Sequence, residues 1–144
     1  MNEQKFKAID LVAEAFEKHG FKFRIYKSED QGELVVGFPI EGGSTILVKY
    51  ILRGDGNDIA VRVFGLLTRI PPEKRMRVLE ACNALNAEYR FLKFNIDSDG
   101  DLNVDYDFLM SCADVCVGEM GFEICVRTVK ILNEKYGELL KLLW

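Results

Sequence analysis

Apolar residues recur every three or four positions between Glu3 and His19, at Phe6, Ile9, Val12, Ala13 and Phe16, the spacing of one helical face. Asn2 suits the N-cap and Gly20 the stop, with Lys18 and His19 at the negative end of the helix dipole. The period then drops to two. In "FKFRIYK" the apolar Phe21, Phe23 and Ile25 are interleaved with Lys22, Arg24 and Lys27, a half-buried strand. "ELVVGFPI", "STILVKYILR" and "DIAVRVFGLL" read as three more strands, parted by the turn segments "SEDQG", "EGG" and "GDGN". Turns this short predict antiparallel neighbours. Pro71 and Pro72 stop the sheet and open a helix to about Glu88, with Met76, Leu79, Cys82 and Leu85 on its apolar stripe. "RFLKFNID" and "LNVDYDF" are two further strands. A long helix from about Glu119 to Leu143 ends the chain, its start loosened by Gly118 and Gly121. Its apolar face is wide enough to meet more than one element or a second subunit. The order α-β-β-β-β-α-β-β-α predicts an α+β fold, an antiparallel sheet with helices packed on it, as one domain over residues 1–144.

The strands carry apolar residues on both faces. In the third, Ile46, Val48, Tyr50 and Leu52 share one face, while Leu47 and Ile51 share the other with Lys49 and Arg53. In the fourth, Ile59, Val61 and Val63 oppose Ala60, Phe64 and Leu66 around Arg62. Parity adds Phe91, in the fifth strand, to the second set. A two-layer domain keeps its outer face polar, and here that face is mixed. Either a helix wraps round to cover it, or these residues sit singly in water, or the face meets a partner. Leu47, Ile51, Phe64 and Phe91 are the candidate partner-binding residues.

Charge narrows the partners. The 144 residues hold 19 Lys and Arg against 23 Asp and Glu, a net charge of −4, which disfavours nucleic acid. No apolar stretch approaches the ~18 residues of a membrane helix. The first residues mix acids with apolar positions, unlike a secretory signal, so a cytoplasmic location is expected. Cys82, Cys112, Cys116 and Cys125 form no C-x-x-C pair, and His19 is the one histidine. Structural zinc usually takes close pairs of such ligands. The four thiols read as small buried hydrophobes, and His19 as a helix-end cation or neutral surface group.

"NIDSDGDLNVDY" tests the one acidic motif. Counted from Asn95, a calcium loop would place ligands at Asn95, Asp97 and Asp99, with Gly100 at the sharp turn and Asp101 beside it. The twelfth position, which must give two carboxylate oxygens, is Tyr106. Both flanks alternate with period two, which means strands rather than helices. The segment reads as a hairpin whose Asp105 and Asp107 pair with Lys93. "EGGST" runs into a strand rather than a helix, unlike a phosphate loop. No cofactor is implied, no nucleophile motif appears, and no enzymatic activity is expected.

The stretch "NALNAEYRFLKFNIDSDGDLNVDYDF", Asn83 to Phe108, resembles the YbjN domain family: an Asn-x-x-Asn helix end, an "R/K-F-x-K-F" strand, an Asp-Gly hairpin and an acidic strand. The closing "EKYGELLKLLW" is similar to that family's last helix. The resemblance implies a fold like that of type III secretion chaperones, which dimerise and hold an extended client segment. It also implies a role in sensory-transduction regulation, with no catalytic residues assigned. Asn83 and Asn86 match the family's pair and read as structural, bonding to nearby backbone. The expected function is a non-enzymatic protein-binding module, chaperone-like or regulatory, binding a protein partner or extended client, or itself as a homodimer, through the apolar sheet face. The alternative is a small-ligand or metal-binding regulator using Asn95, Asp97, Asp99 and Asp101.

Overall fold

Alternation of apolar residues becomes alternation of burial. In a computed structural model that describes residues 6–54, 58–109 and 115–144, every second residue of the central strands is buried: Leu34, Val36 and Phe38, then Val48, Tyr50 and Leu52, then Ile59, Val61 and Val63. The elements are α1 (Lys7–Lys18), β1 (Arg24–Lys27), β2 (Gln31–Pro39), β3 (Thr45–Arg53), β4 (Asp58–Leu67), a 3-10 turn (Pro72–Lys74) running into α2 (Arg75–Glu88), β5 (Lys93–Ile96), β6 (Leu102–Leu109) and α3 (Val115–Lys141). The expected α+β class and element order hold. The six strands lie in the order β1-β2-β3-β4-β6-β5, and each neighbouring pair is antiparallel.

α1 and α3 cover one face. The ring of Phe16 meets Tyr50 edge-on at 5.9 Å, and the buried Tyr50 hydroxyl donates to the Gly121 carbonyl of α3 at 2.6 Å. The two helices pack unusually close where Gly118 faces α1: a Cβ there would stand 2.4 Å from the Leu11 carbonyl oxygen. At Gly121 it would stand 2.9 Å from a Val12 methyl. These glycines therefore do not loosen α3. They let its backbone reach α1 and the sheet.

α2 seals the sheet's far edge. Asn86 donates its amide to the Phe94 carbonyl at 3.1 Å and accepts from the Phe94 N–H at 2.7 Å. One side chain thus supplies the hydrogen bonds that a further strand would make, and it covers an edge otherwise open to pairing. Asn83 is exposed.

Several local expectations change. β1 is a four-residue strand with every residue exposed. Of the apolar side chains assigned to it, Phe21 lies ahead of it, packed on Phe16, Phe38 and Phe122. An edge strand at the margin of the helix layer has little to bury against. The buried stripe of α2 is Val78, Cys82 and Leu85, while Met76 and Leu79 are exposed. Cys82 and Cys125 are buried as expected, whereas Cys116 is exposed on the first turn of α3. Asn2, Cys112 and most of the "GDGN" turn lie outside the described residues.

Candidate functional site on the uncovered sheet face

The second face of the sheet follows from the register. Glu33 pairs with Ile51, Val35 with Lys49 and Gly37 with Leu47. Lys49 in turn pairs with Arg62, and Ile51 with Ala60. Arg62 pairs with Asp105, which also faces Lys93. The side chains of these residues point away from α1 and α3. Among the described residues no helix buries Leu47 or Phe64 on this face, although Tyr136 of α3 reaches its edge and lines the hollow beside them.

Leu47 and Phe64 are 49% and 54% exposed there. Together with Lys49 they line a hollow of about 260 Å³. The Lys49 ammonium lies 5.7 Å from the centre of the Phe64 ring and 3.8 Å from Glu33. Ile51 is half-buried between Glu33 and Ala60. Phe91 does not join this group. β5 begins only at Lys93, so parity does not carry back to Phe91. Its ring packs edge-on against Tyr106 at 5.6 Å, and Tyr106 pairs with Val61 on the helix side. Phe91 lines a separate hollow of about 220 Å³ with Met120, Ile124 and Arg127 of α3.

A larger hollow, about 830 Å³, opens beside Leu47 over β2. Lys22, Phe23, Arg24 and Tyr26 form one wall, Leu47 and Lys49 the other, with Glu33, Val35 and Gly37 between them. Gly37 contributes no side chain, which helps to make the surface concave. Sequence reasoning missed Val35 and Gly37. Their parity with Glu33 in "ELVVGFP" is legible, but only the β2–β3 register sets that face beside Leu47.

Charge at the opposite end of this face is internally paired. Arg62 binds Asp107 through both terminal nitrogens, and its Nε lies 3.5 Å from Asp105. Its guanidinium pKa is raised, first by the Asp107 hydrogen bond. The expected pairing of these acids with Lys93 does not form. The Lys93 ammonium instead binds the Asn86 and Tyr89 carbonyls at 3.2 and 3.3 Å, because unpaired carbonyls at the end of α2 attract a cation.

The acidic turn is a hairpin, with Gly100 at φ 80° and β5 and β6 as its arms. Its polar atoms hold neighbouring loops. The Asp97 carboxylate accepts from the Asp99 and Asp101 N–H groups at 2.9 and 3.1 Å and from the Asn103 amide at 2.8 Å. These donors hold its pKa below the usual carboxylate value, the Asp101 N–H most of all. Asp101 accepts from the Arg69 N–H at 2.9 Å, where Arg69 takes a left-handed φ of 50°. Asn103, buried, accepts from the Gly65 N–H at 2.8 Å, at the irregularity in the β4–β6 register. Asn95 donates to Asp105 at 2.6 Å. Of the four calcium-loop candidates, Asn95, Asp97 and Asp101 are thus engaged within the protein, and Asp99 stands exposed. Among the described residues no three His, Cys, Asp or Glu side chains are grouped to hold a metal ion.

His19, Cys82 and Cys125 are structural in setting. His19 stacks on Phe122 at 3.9 Å and bonds Glu119 at 3.2 Å. Burial pushes the Cys82 thiol up to about 11 and the Cys125 thiol up to about 12. Among the described residues no helix is long and apolar enough to cross a membrane.

These features define an α+β domain whose six-stranded antiparallel sheet carries helices on one face and a mixed apolar and charged surface on the other. The chain belongs to the YbjN family: that family's model, described as "Putative bacterial sensory transduction regulator", matches residues 8–132. A search of curated proteins finds no match.

Proposed function

We propose that the chain, acting as one cytoplasmic domain, is a non-enzymatic regulatory module that binds a protein partner through the uncovered sheet face. The observation that carries this reading is the side-by-side exposure of Leu47 and Phe64 at about half their surface, on strands whose other face is fully packed. Membership of a family described as sensory-transduction regulators agrees with it. Covering the exposed halves of these two side chains would contribute about 2–3 kcal/mol. Lys49, Arg62 and the acids around them form a polar rim of the kind that sets specificity. A chaperone-like hold on a client's extended segment is one form this binding would take, and homodimerisation another.

The test compares wild type with Leu47→Lys/Phe64→Lys as bait in lysate of the native host, followed by titration of the captured protein. Loss of the exposed halves predicts binding weaker by ~30-fold or more. Both residues are exposed, so the variant keeps its circular dichroism spectrum and melting curve. Equal affinity of both baits for every captured protein sinks the proposal.

A further inference from the structure

We infer that the hollow over β2 takes an acidic polypeptide segment bearing a bulky apolar side chain. The inference rests on the reading of this face as a protein-binding surface and names the partner's chemistry. Three cations, Lys22, Arg24 and Lys49, and one carboxylate, Glu33, line the hollow. Glu33 lies 3.8 Å from Lys49. Among the described residues Lys22 and Arg24 have no carboxylate within salt-bridge distance, in a chain of net charge −4. At physiological ionic strength charges beyond ~8 Å are largely screened, so this local excess of positive charge governs what docks. Apolar Phe23, Tyr26, Val35 and Leu47 share the same walls, so the occupant must bring apolar surface as well as carboxylates.

A polyphosphate fits these observations less well. It brings charge at high density but no apolar side chain to cover Phe23, Tyr26, Val35 and Leu47. A segment with two or three carboxylates around a Leu, Ile or Phe matches both the cations and the walls. The excess of positive charge then acts on encounter rate and orientation, while the apolar side chain holds the segment in place.

The experiment selects 16-residue peptides from a random displayed library against the full chain and measures the enriched peptides by fluorescence anisotropy. The expected result is enrichment of Asp and Glu around large apolar residues. Lys22→Glu/Arg24→Glu should weaken those peptides by ~10-fold or more, and 0.5 M salt should weaken them several-fold. Enriched peptides that are neutral or basic, yet lost in Leu47→Lys/Phe64→Lys, overturn the acidic assignment and leave the protein-binding face standing. Enriched peptides indifferent to all four substitutions overturn both. Sedimentation with phosphatidylserine vesicles, or binding of a 20-nucleotide single strand, overturns the peptide assignment if it depends on Lys22 and Arg24. So does a dimer in light scattering that Leu47→Lys/Phe64→Lys converts to monomer, since the face is then filled by a second copy.

Discussion

Gly118→Ala and Gly137→Ala are the same substitution in the same helix, and the packing of α3 gives them opposite signs. A Cβ on Gly118 would stand 2.4 Å from the Leu11 carbonyl oxygen and 3.0 Å from its carbon, where ordinary contact begins at 3.4 Å. The obstacle is α1 backbone, which cannot swing aside as a side-chain tip can. Relief requires the two helices to part by about 1 Å, against the buried Ile9, Val12 and Phe16 of α1. Overpacking of this kind costs ~1–3 kcal/mol and occasionally more, and an immovable backbone atom puts it at the upper end. Alanine returns up to ~1 kcal/mol of helix propensity. The net expectation is a loss of about 2 kcal/mol, seen as a melting temperature lower by roughly 4–8 °C. Gly137 is exposed and a Cβ there meets nothing within 4 Å, so propensity acts alone and the melting temperature rises by roughly 2–4 °C. Thermal unfolding followed by circular dichroism at 222 nm reads both, with urea midpoints as a second measure. A Gly118→Ala protein as stable as wild type would refute the close-approach account of α3.

Asn86→Ala removes both hydrogen bonds to Phe94 and should cost ~1–3 kcal/mol; amide exchange at Phe94 should quicken, and an unchanged exchange rate would deny Asn86 its edge-sealing role. Asp97 has a folded pKa below its unfolded value, so it contributes stability above an unfolded pKa of about 4 that is lost as pH falls through the folded value. Asp97→Asn should flatten the fall in stability on acidification below about pH 4, and parallel pH profiles of the two proteins would exclude Asp97 as a source of it.

The hairpin was legible at Asp-Gly because alternating flanks demand a two-strand reading and glycine alone enters its turn freely. The engagement of Asp101 and Asn103 was not, since their donors at Arg69 and Gly65 lie more than thirty residues away in β4 and the loop after it. Phe91 shows the limit of counting by parity: the irregular backbone of residues 89–92 before β5 is enough to send its ring to the helix side. The sequence marks Asn83 and Asn86 alike as structural, and only the fold distinguishes them, with Asn86 on the strand edge and Asn83 in solvent.

The run of residues by itself determined the element types, their order and which strand positions are inward, because helix and strand repeat with different periods and burial must follow them. It also determined that Leu47 and Phe64 lie on the opposite side from Val48 and Val63. Tertiary structure decided that α1 and α3 share one face, leaving the other uncovered, and that Lys22 and Arg24 stand across β2 from Leu47. How closely α3 seats on that face depends on Gly118 meeting the α1 backbone and Gly121 a Val12 side chain, and the neighbours of a residue across a sheet depend on register. Both are long-range contacts that local periodicity does not encode.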